Sequence, residues 1–369
     1  MRKIVLRAVG DMMVGDTHMK IGTGVRSLAR KRGSPYLFEE IAPRLGGGEG
    51  LLFGNLECPV SAGPNRRRPF LGDPSIVDAM KEAGFDVLAL ANNHMMEHGE
   101  GPPRETERIL SAAGIEPVGL PFGRGTRAIV ERGGVRVGFL AHNFVRTPKD
   151  DPFEHDGGAI FREAEALVKE CDAAVVSLHW GAEFVRFPSK EQIAFARALV
   201  RAGVRAVLGH HTHTVQSVEV FEDGVIAYNL GNFLFDMDWI PFAQEGILLT
   251  ASIPIERGAA PEATVLPLRL DETYRPVPAG EKMSAEAFHE SLVPGRSMDD
   301  LLRFPRNDYT PHTWSERRRA GEEMRARVRR NPSHVPPASW LYLFRKRLRR
   351  GAPTLRADEV DASWTLEGS

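Results

Sequence analysis

The chain has 369 residues, 42% hydrophobic and 26% charged, with a formal net charge of −1; such values fit a folded protein of one large domain or two smaller ones. Only two cysteines occur, Cys58 and Cys171, which argues against a disulfide scaffold and against a thiolate metal site. Charge is unevenly spread: between His312 and Arg350 stand twelve Lys/Arg and three Asp/Glu, a local +9 that leaves about −10 on the remainder.

Residues 3–9 form a β-rich run that stops at Gly10-Asp11, and Leu51-Leu52-Phe53 is another, ending at Gly54-Asn55-Leu56-Glu57. Residues 74–84 have helical spacing through Ile76, Val77, Met80 and Ala83, with Gly84 as the C-terminal cap. A buried strand over 85–91 ends at Asn92-Asn93-His94. A helix over 104–113 is capped by Gly114 and followed by a short strand near 115–118. Residues 127–131 and 135–141, joined by Gly133-Gly134, read as a hairpin. The strand over 173–178 runs into His179, and 189–202 is an amphipathic helix ended by Gly203. The apolar run 204–208 then ends at Gly209-His210-His211-Thr212-His213. A second hairpin spans 215–220 and 225–230, and 246–253 is a further strand.

Early alternation of strands and helices followed by hairpins predicts an α/β domain with mixed sheets over residues 1–272. A Pro-rich link at 274–279 leads into a basic helical extension over 273–356, and 357–369 reads as a flexible tail. Residues 314–330 and 339–349 have helical character. In the second, Trp340, Leu341, Leu343, Phe344 and Leu348 contrast with Arg345, Lys346, Arg347, Arg349 and Arg350. A basic amphipathic helix can lie on an anionic membrane, bind an acidic partner, or pack on the acidic body or across a homodimer. Packing within the molecule or a dimer is the favoured expectation. No recognised nucleic-acid-binding fold accompanies the charge, so no specific nucleic acid is expected. The N-terminus, Met1-Arg2-Lys3-Ile4-Val5-Leu6-Arg7, is too short and too charged for a signal peptide, and no apolar run reaches membrane-spanning length. The expectation is a cytoplasmic protein with no transmembrane anchor.

One regularity outweighs any single motif. Asp11, Glu57, Asn93 with His94, His179, and His211 with His213 all follow apolar strand-like runs. Ligands of open α/β sheets bind at the carboxyl ends of strands. Taken singly, each residue also fits a turn, a cap or a packed histidine; five such coincidences in one topological position do not. Two carboxylates, an amide and three or more imidazoles are enough for two metal ions sharing a bridging carboxylate. Oxygen and imidazole donors suit Mn, Fe or Zn, with Mg also admissible. Arg66-Arg67-Arg68 can hold phosphate or carboxylate groups bidentately, or form a solvated basic loop. Glu183 and Asn232 are candidates to orient ligands. There is no Walker-type loop or Rossmann fingerprint.

An ordered series runs Gly10-Asp11; Asn55-Leu56-Glu57; Leu90-Ala91-Asn92-Asn93-His94 with Gly99; His179-Trp180-Gly181-Ala182-Glu183-Phe184 with Pro188 and Gln192; Gly209-His210-His211-Thr212-His213; and Leu230-Gly231-Asn232-Phe233. Over roughly residues 4–270 it resembles the CapA/PgsA family of poly-γ-glutamate capsule-biosynthesis proteins, a branch of the calcineurin-like metallophosphoesterase superfamily. The resemblance implies a four-layer αββα sandwich of two mixed β-sheets with a dinuclear metal centre at the sheet edge. It implies Glu57 as bridging carboxylate, Asn93, His179 and His211 at one metal, and Asp11 and His213 at the other. His94 matches the histidine that contacts substrate and protonates a leaving group. Two departures stand out: Met13 replaces the histidine of the superfamily's Asp-x-His, and Glu97 stands where capsule relatives carry Asp.

The expected activity is that of a metal-dependent hydrolase, with metal-activated hydroxide attacking a phosphate ester. The substrate would be a small molecule or polymer carrying phosphate or carboxylate. The alternatives are a non-catalytic component of poly-γ-glutamate or related polymer biosynthesis, or a metal-dependent amidase or peptidase.

Overall fold

The computed structural model describes residues 2–46, 50–63, 68–146 and 151–303, together with 318, 319, 322, 325, 326, 329, 335–337, 339 and 340. In chain order the elements are β1 (Lys3–Met12), α1 (Val25–Arg32), α2 (Ala42–Leu45), β2 (Leu51–Leu56), α3 (Ile76–Glu82), β3 (Val87–Ala89), α4 (Gly101–Ala112), β4 (Glu116–Val118), β5 (Arg127–Arg132) and β6 (Val135–Asn143). They continue with α5 (Gly157–Glu170), β7 (Ala173–His179), α6 (Lys190–Arg201), β8 (Val204–His210), β9 (Val218–Phe221), β10 (Gly224–Ala227) and β11 (Asn232–Leu234). The series closes with β12 (Glu245–Pro254), β13 (Glu262–Leu270), β14 (Pro276–Pro278), β15 (Met283–Ser284), α7 (Ala285–Leu292) and α8 (Met298–Arg303).

Two mixed sheets form. One has the order β14-β13-β12-β1-β2-β3-β4, with β11 on β1 and β15 on β13; the other runs β5-β6-β7-β8-β10-β9. Along β6, β7 and β8, alternate side chains go to opposite faces, as pleating requires. Val137, Phe139, Val175, Ala206 and Leu208 join the core shared with the first sheet. Leu140, Ala174, Val176, Leu178 and Val207 instead pack with Ile160, Leu167, Ile193 and Leu199 of α5 and α6. Across the middle, the Phe53 and Phe139 rings stack with centroids 5.8 Å apart. The far face of the first sheet is covered by Val25, Ile76, Val77 and Met80 from α1 and α3. The result is the expected four-layer sandwich.

Register explains where the polar residues fall. β1, β2 and β3 are parallel, with Asp11 opposite Asn55 and Asn55 opposite Ala89. β6, β7 and β8 are parallel too, with Asn143 opposite His179 and His179 opposite His210. The carboxyl ends of six strands therefore meet at one edge of the sandwich. α6 is fixed by a capping box, in which Ser189 accepts from the Gln192 amide and Gln192 returns the bond.

Several expectations need correction. The first sheet passes the expected boundary at residue 272, because β14 and β15 hydrogen-bond to β13. The stretch read as a Pro-rich link contains β14, whose prolines are tolerated at a sheet edge. Asp11 lies inside β1 rather than beyond it. The loop after Asp11 is anchored: Asp16 is buried and accepts from the Gly22 and Ser27 amides and the Ser27 hydroxyl. Half of the expected extension, including 341–356, and the tail 357–369 lie outside the described residues. Among the described residues, no helix is long and apolar enough to cross a membrane.

Asp16 has a buried neighbour, Asp236, which accepts from the Thr17 amide at 3.0 Å. Burial, and then the Asp16 charge, push the Asp236 carboxyl up to about 7. A folded value above the unfolded one means its contribution to stability is full below the ordinary Asp range and is lost as pH rises through about 7. Asp236→Asn is expected to flatten the rise in stability on going from pH 7 to pH 4. Urea unfolding at several pH values checks it, and parallel curves for the two proteins would refute it.

Candidate metal centre

Glu57 follows β2 and is fully buried, and neither carboxylate oxygen has a hydrogen-bond partner. Burial, then the charges of Asp11 and Glu183, push its carboxyl well above the usual range. An uncompensated buried carboxylate is costly unless a cation completes it. Its surroundings supply imidazoles. Glu57 Oε1 is 3.7 Å from His179 Nε2 and 3.8 Å from His213 Nε2. Two groups of donor atoms, each lying within 4.8 Å of one another, have Glu57 in common: Glu57, His179 and His211, and Asp11, Glu57 and His213.

The imidazoles are in the form that binds a cation. Burial, then the neighbouring His211, push His179 well below the usual histidine range. Burial likewise pushes His211 down to about 4. Both are neutral at pH 7, as metal ligation requires. His211 Nδ1 is buried without a partner. The turn that presents them has left-handed backbone at His211 (φ 93) and at His213 (φ 54). Such conformations are unfavourable for β-carbon residues. Here they bring the two rings to a centroid separation of 6.1 Å, with His179 4.8 Å from His211.

Asp11 is held rather than free. Its Oδ1 accepts from Asn55 Nδ2 at 2.8 Å and lies 3.1 Å from His210 Nδ1, while Oδ2 accepts from the His211 amide at 3.0 Å. Burial opposes ionisation, but the His210 hydrogen bond and the surrounding imidazoles prevail and keep the carboxyl below the usual range. Asn93 Oδ1 lies 2.9 Å from His179 Nε2, which places its amide beside the first group. Met13, buried beneath the site, supplies no hard donor to the second.

Asn232 orients His213. Its Nδ2 donates to the Ala243 carbonyl at 2.7 Å, which fixes the amide so that Oδ1 faces His213 Nδ1 at 3.0 Å. With Asn232 Oδ1 as acceptor, His213 Nδ1 carries a proton and Nε2 is turned to the side of Glu57, 3.8 Å from its Oε1. Asn232→Ala is expected to weaken divalent-ion binding about 10- to 100-fold while leaving the fold intact. Isothermal titration with Mn checks this, and unchanged affinity would remove Asn232 from the site.

His94 sits at the rim with its side chain 16% exposed, and Nδ1 lies 3.2 Å from Glu97 Oε1. Glu183 is half-buried and acts electrostatically on both Glu57 and His211. Arg66 and Arg67 lie outside the described residues. The sequence reading missed the supporting amides. Asn92 Nδ2 donates to the Leu56 carbonyl at 2.9 Å and to Asn55 Oδ1 at 3.3 Å, tying the ends of β2 and β3 together. Asn55 and His210 were legible only as polar residues closing apolar runs.

The family described as bacterial capsule synthesis protein PGA_cap has a model that matches residues 5–237, and the chain belongs to that family. It is 32% identical over 259 residues to the capsule biosynthesis protein CapA of Bacillus anthracis, covering 64% of this chain and 61% of that one. It is 27% identical over 247 residues to the PGA biosynthesis protein CapA of Bacillus subtilis, covering 63% of each. The chain thus spans about three-fifths of the length of these relatives. Among solved structures, one described as a novel phosphatase of Mycoplasma pneumoniae is similar at 13% identity with a TM-score of 0.47, over 74% of this chain and 96% of that one.

Proposed function

We propose that the chain is a metal-dependent hydrolase of phosphate esters, in which two divalent ions would be held by two groups of donors that share Glu57. The observation that carries this is Glu57 itself, a buried carboxylate common to two donor groups with both oxygens unpartnered. His179, His211 and Asn93 would hold one ion, and Asp11 and His213 the other. When bound, divalent ions supply a hydroxide nucleophile at neutral pH and neutralise charge developing on a phosphoryl oxygen. Mn, Fe or Zn suits these donors, and Mg is admissible.

The chain's own residues then have distinct work. The three donors on Asp11 fix its carboxylate, and Asn232 fixes the His213 tautomer. With Nδ1 engaged by Glu97, His94 has Nε2 available to give a proton to the departing oxygen. Kinship with capsule proteins makes a polymer or small molecule bearing phosphate or carboxylate the substrate class to test.

The test is elemental analysis of protein purified without chelators, followed by assays with added Mn, Fe, Zn or Mg. Bis-p-nitrophenyl phosphate, p-nitrophenyl phosphate and γ-glutamyl-p-nitroanilide should be compared side by side. Turnover of a phosphate ester that EDTA abolishes is expected. Absence of both retained metal and ion-stimulated turnover would overturn the proposal, and turnover of the anilide alone would make the protein an amidase.

A further inference from the structure

His94 is gripped on two sides, and only one of them was foreseen. Glu97 holds its edge, while the Phe70 ring lies flat against its face, with centroids 4.3 Å apart and planes inclined by 19°. Phe70 is 6% exposed and has left-handed backbone, φ 55. A non-glycine residue persists there only when its surroundings over-determine it, and here they do. The Phe70 amide donates to the Asp16 carbonyl at 2.9 Å, and the following residue, Leu71, accepts from buried Arg26 Nη1 at 2.9 Å. On the other side, Pro69 O lies 2.9 Å from His98 Nε2, and Gly72 donates to the Pro59 carbonyl at 2.8 Å. A β-carbon at Gly15 would come within 3.1 Å of Phe70 C, so the loop after β1 is closed against the same segment. His18 adds a third ring, 5.6 Å from Phe70.

We propose that Phe70 is a positioning residue for His94: its ring fixes the imidazole plane so that Nε2 is held toward the leaving group. The proposal rests on the hydrolase reading for its catalytic consequence, though not for the stacking. An exposed histidine side chain turns readily about χ1 and χ2. Contact on one face and one edge leaves it a single orientation, and small misplacements of a proton donor are costly in rate. Aromatic faces also stack on imidazole more specifically than aliphatic groups of similar size.

The test compares wild type, Phe70→Leu and Phe70→Tyr, with Phe70→Met in reserve should the Leu variant fail to fold. Two readouts are needed. In protein carrying 13C-labelled histidine, the His94 ring protons, assigned with His94→Gln, should be shifted upfield by the stacked ring. They should move to ordinary positions in Phe70→Leu and stay upfield in Phe70→Tyr. With bis-p-nitrophenyl phosphate, kcat of Phe70→Leu should fall about tenfold while KM stays within about twofold, and Tyr should restore kcat. An unmoved His94 resonance in Phe70→Leu overturns the proposal, as does a lost shift with kcat unchanged. If wild type turns nothing over, the hydrolase reading fails while the resonance still decides whether Phe70 holds the ring.

Discussion

Glu57→Gln is expected to move the thermal midpoint in opposite directions with and without divalent ions. In chelated protein the wild-type carboxylate is buried, unpartnered and close to the Asp11 charge. Replacing it with a neutral amide of the same shape relieves about 1–3 kcal/mol of desolvation and repulsion. For a chain of this size that corresponds to a rise of roughly 1–4 °C. The pH dependence has a definite sign. A carboxyl raised above its unfolded value contributes fully below the ordinary Glu range, and that contribution is lost as pH rises. The ion-free variant should lack this decline. With excess Mn the order reverses, because ligand binding stabilises only the protein that can hold it. Thermal unfolding in EDTA and in Mn reads both effects. Shifts of the same sign in both buffers would show that Glu57 does not meet an ion.

Gly209→Ala should be severely damaging. A β-carbon at Gly209 would overlap the Tyr228 carbonyl oxygen and lie 2.6 Å from its carbon and 2.7 Å from Trp180 Nε1. Trp180 Nε1 already donates to that carbonyl at 3.1 Å, so three groups compete for one space. The carbonyl is backbone and cannot swing away. β8 and β10 must therefore separate just beyond their Leu208–Ala227 pairing, directly before the histidine turn. A cost of about 3 kcal/mol or more is expected, with a midpoint lower by roughly 4 °C or more and weakened ion binding. Gly101→Ala is the control, since its β-carbon meets nothing within 4 Å at the start of α4. Its effect should be within about 1 kcal/mol and stabilising. Equal losses in the two variants would exclude overlap at Gly209 as the cause.

Much of the site could be read from residues alone because each donor closes an apolar run, and parallel strands align such endings. Asp11, Glu57, His179, His211 and His213 meet for that reason. Their supports were harder to read. Asn55 lies inside β2, and its partner Asp11 is 44 residues away, a pairing that only the register of β1 and β2 defines. His210 closes an apolar run as the ligand candidates do, and its hold on Asp11 depends on a side-chain direction that no local pattern reveals. Phe70 lies in a segment without periodicity, shaped by hydrogen bonds to Asp16, Arg26 and His98 rather than by its own sequence. α5 and β13 were not delimited from the sequence, and β14 was obscured by prolines that signal a linker but suit an edge.

The donors belong to different sheets. Asp11, Glu57 and Asn93 lie in or after strands of the first, and His179, His211 and His213 in or after strands of the second. Any ion they hold would therefore be a clasp across the mid-plane of the sandwich, tying one sheet to the other. Amide exchange at the carboxyl ends of β2 and β7 should slow together when an ion is bound, although the two strands belong to different sheets.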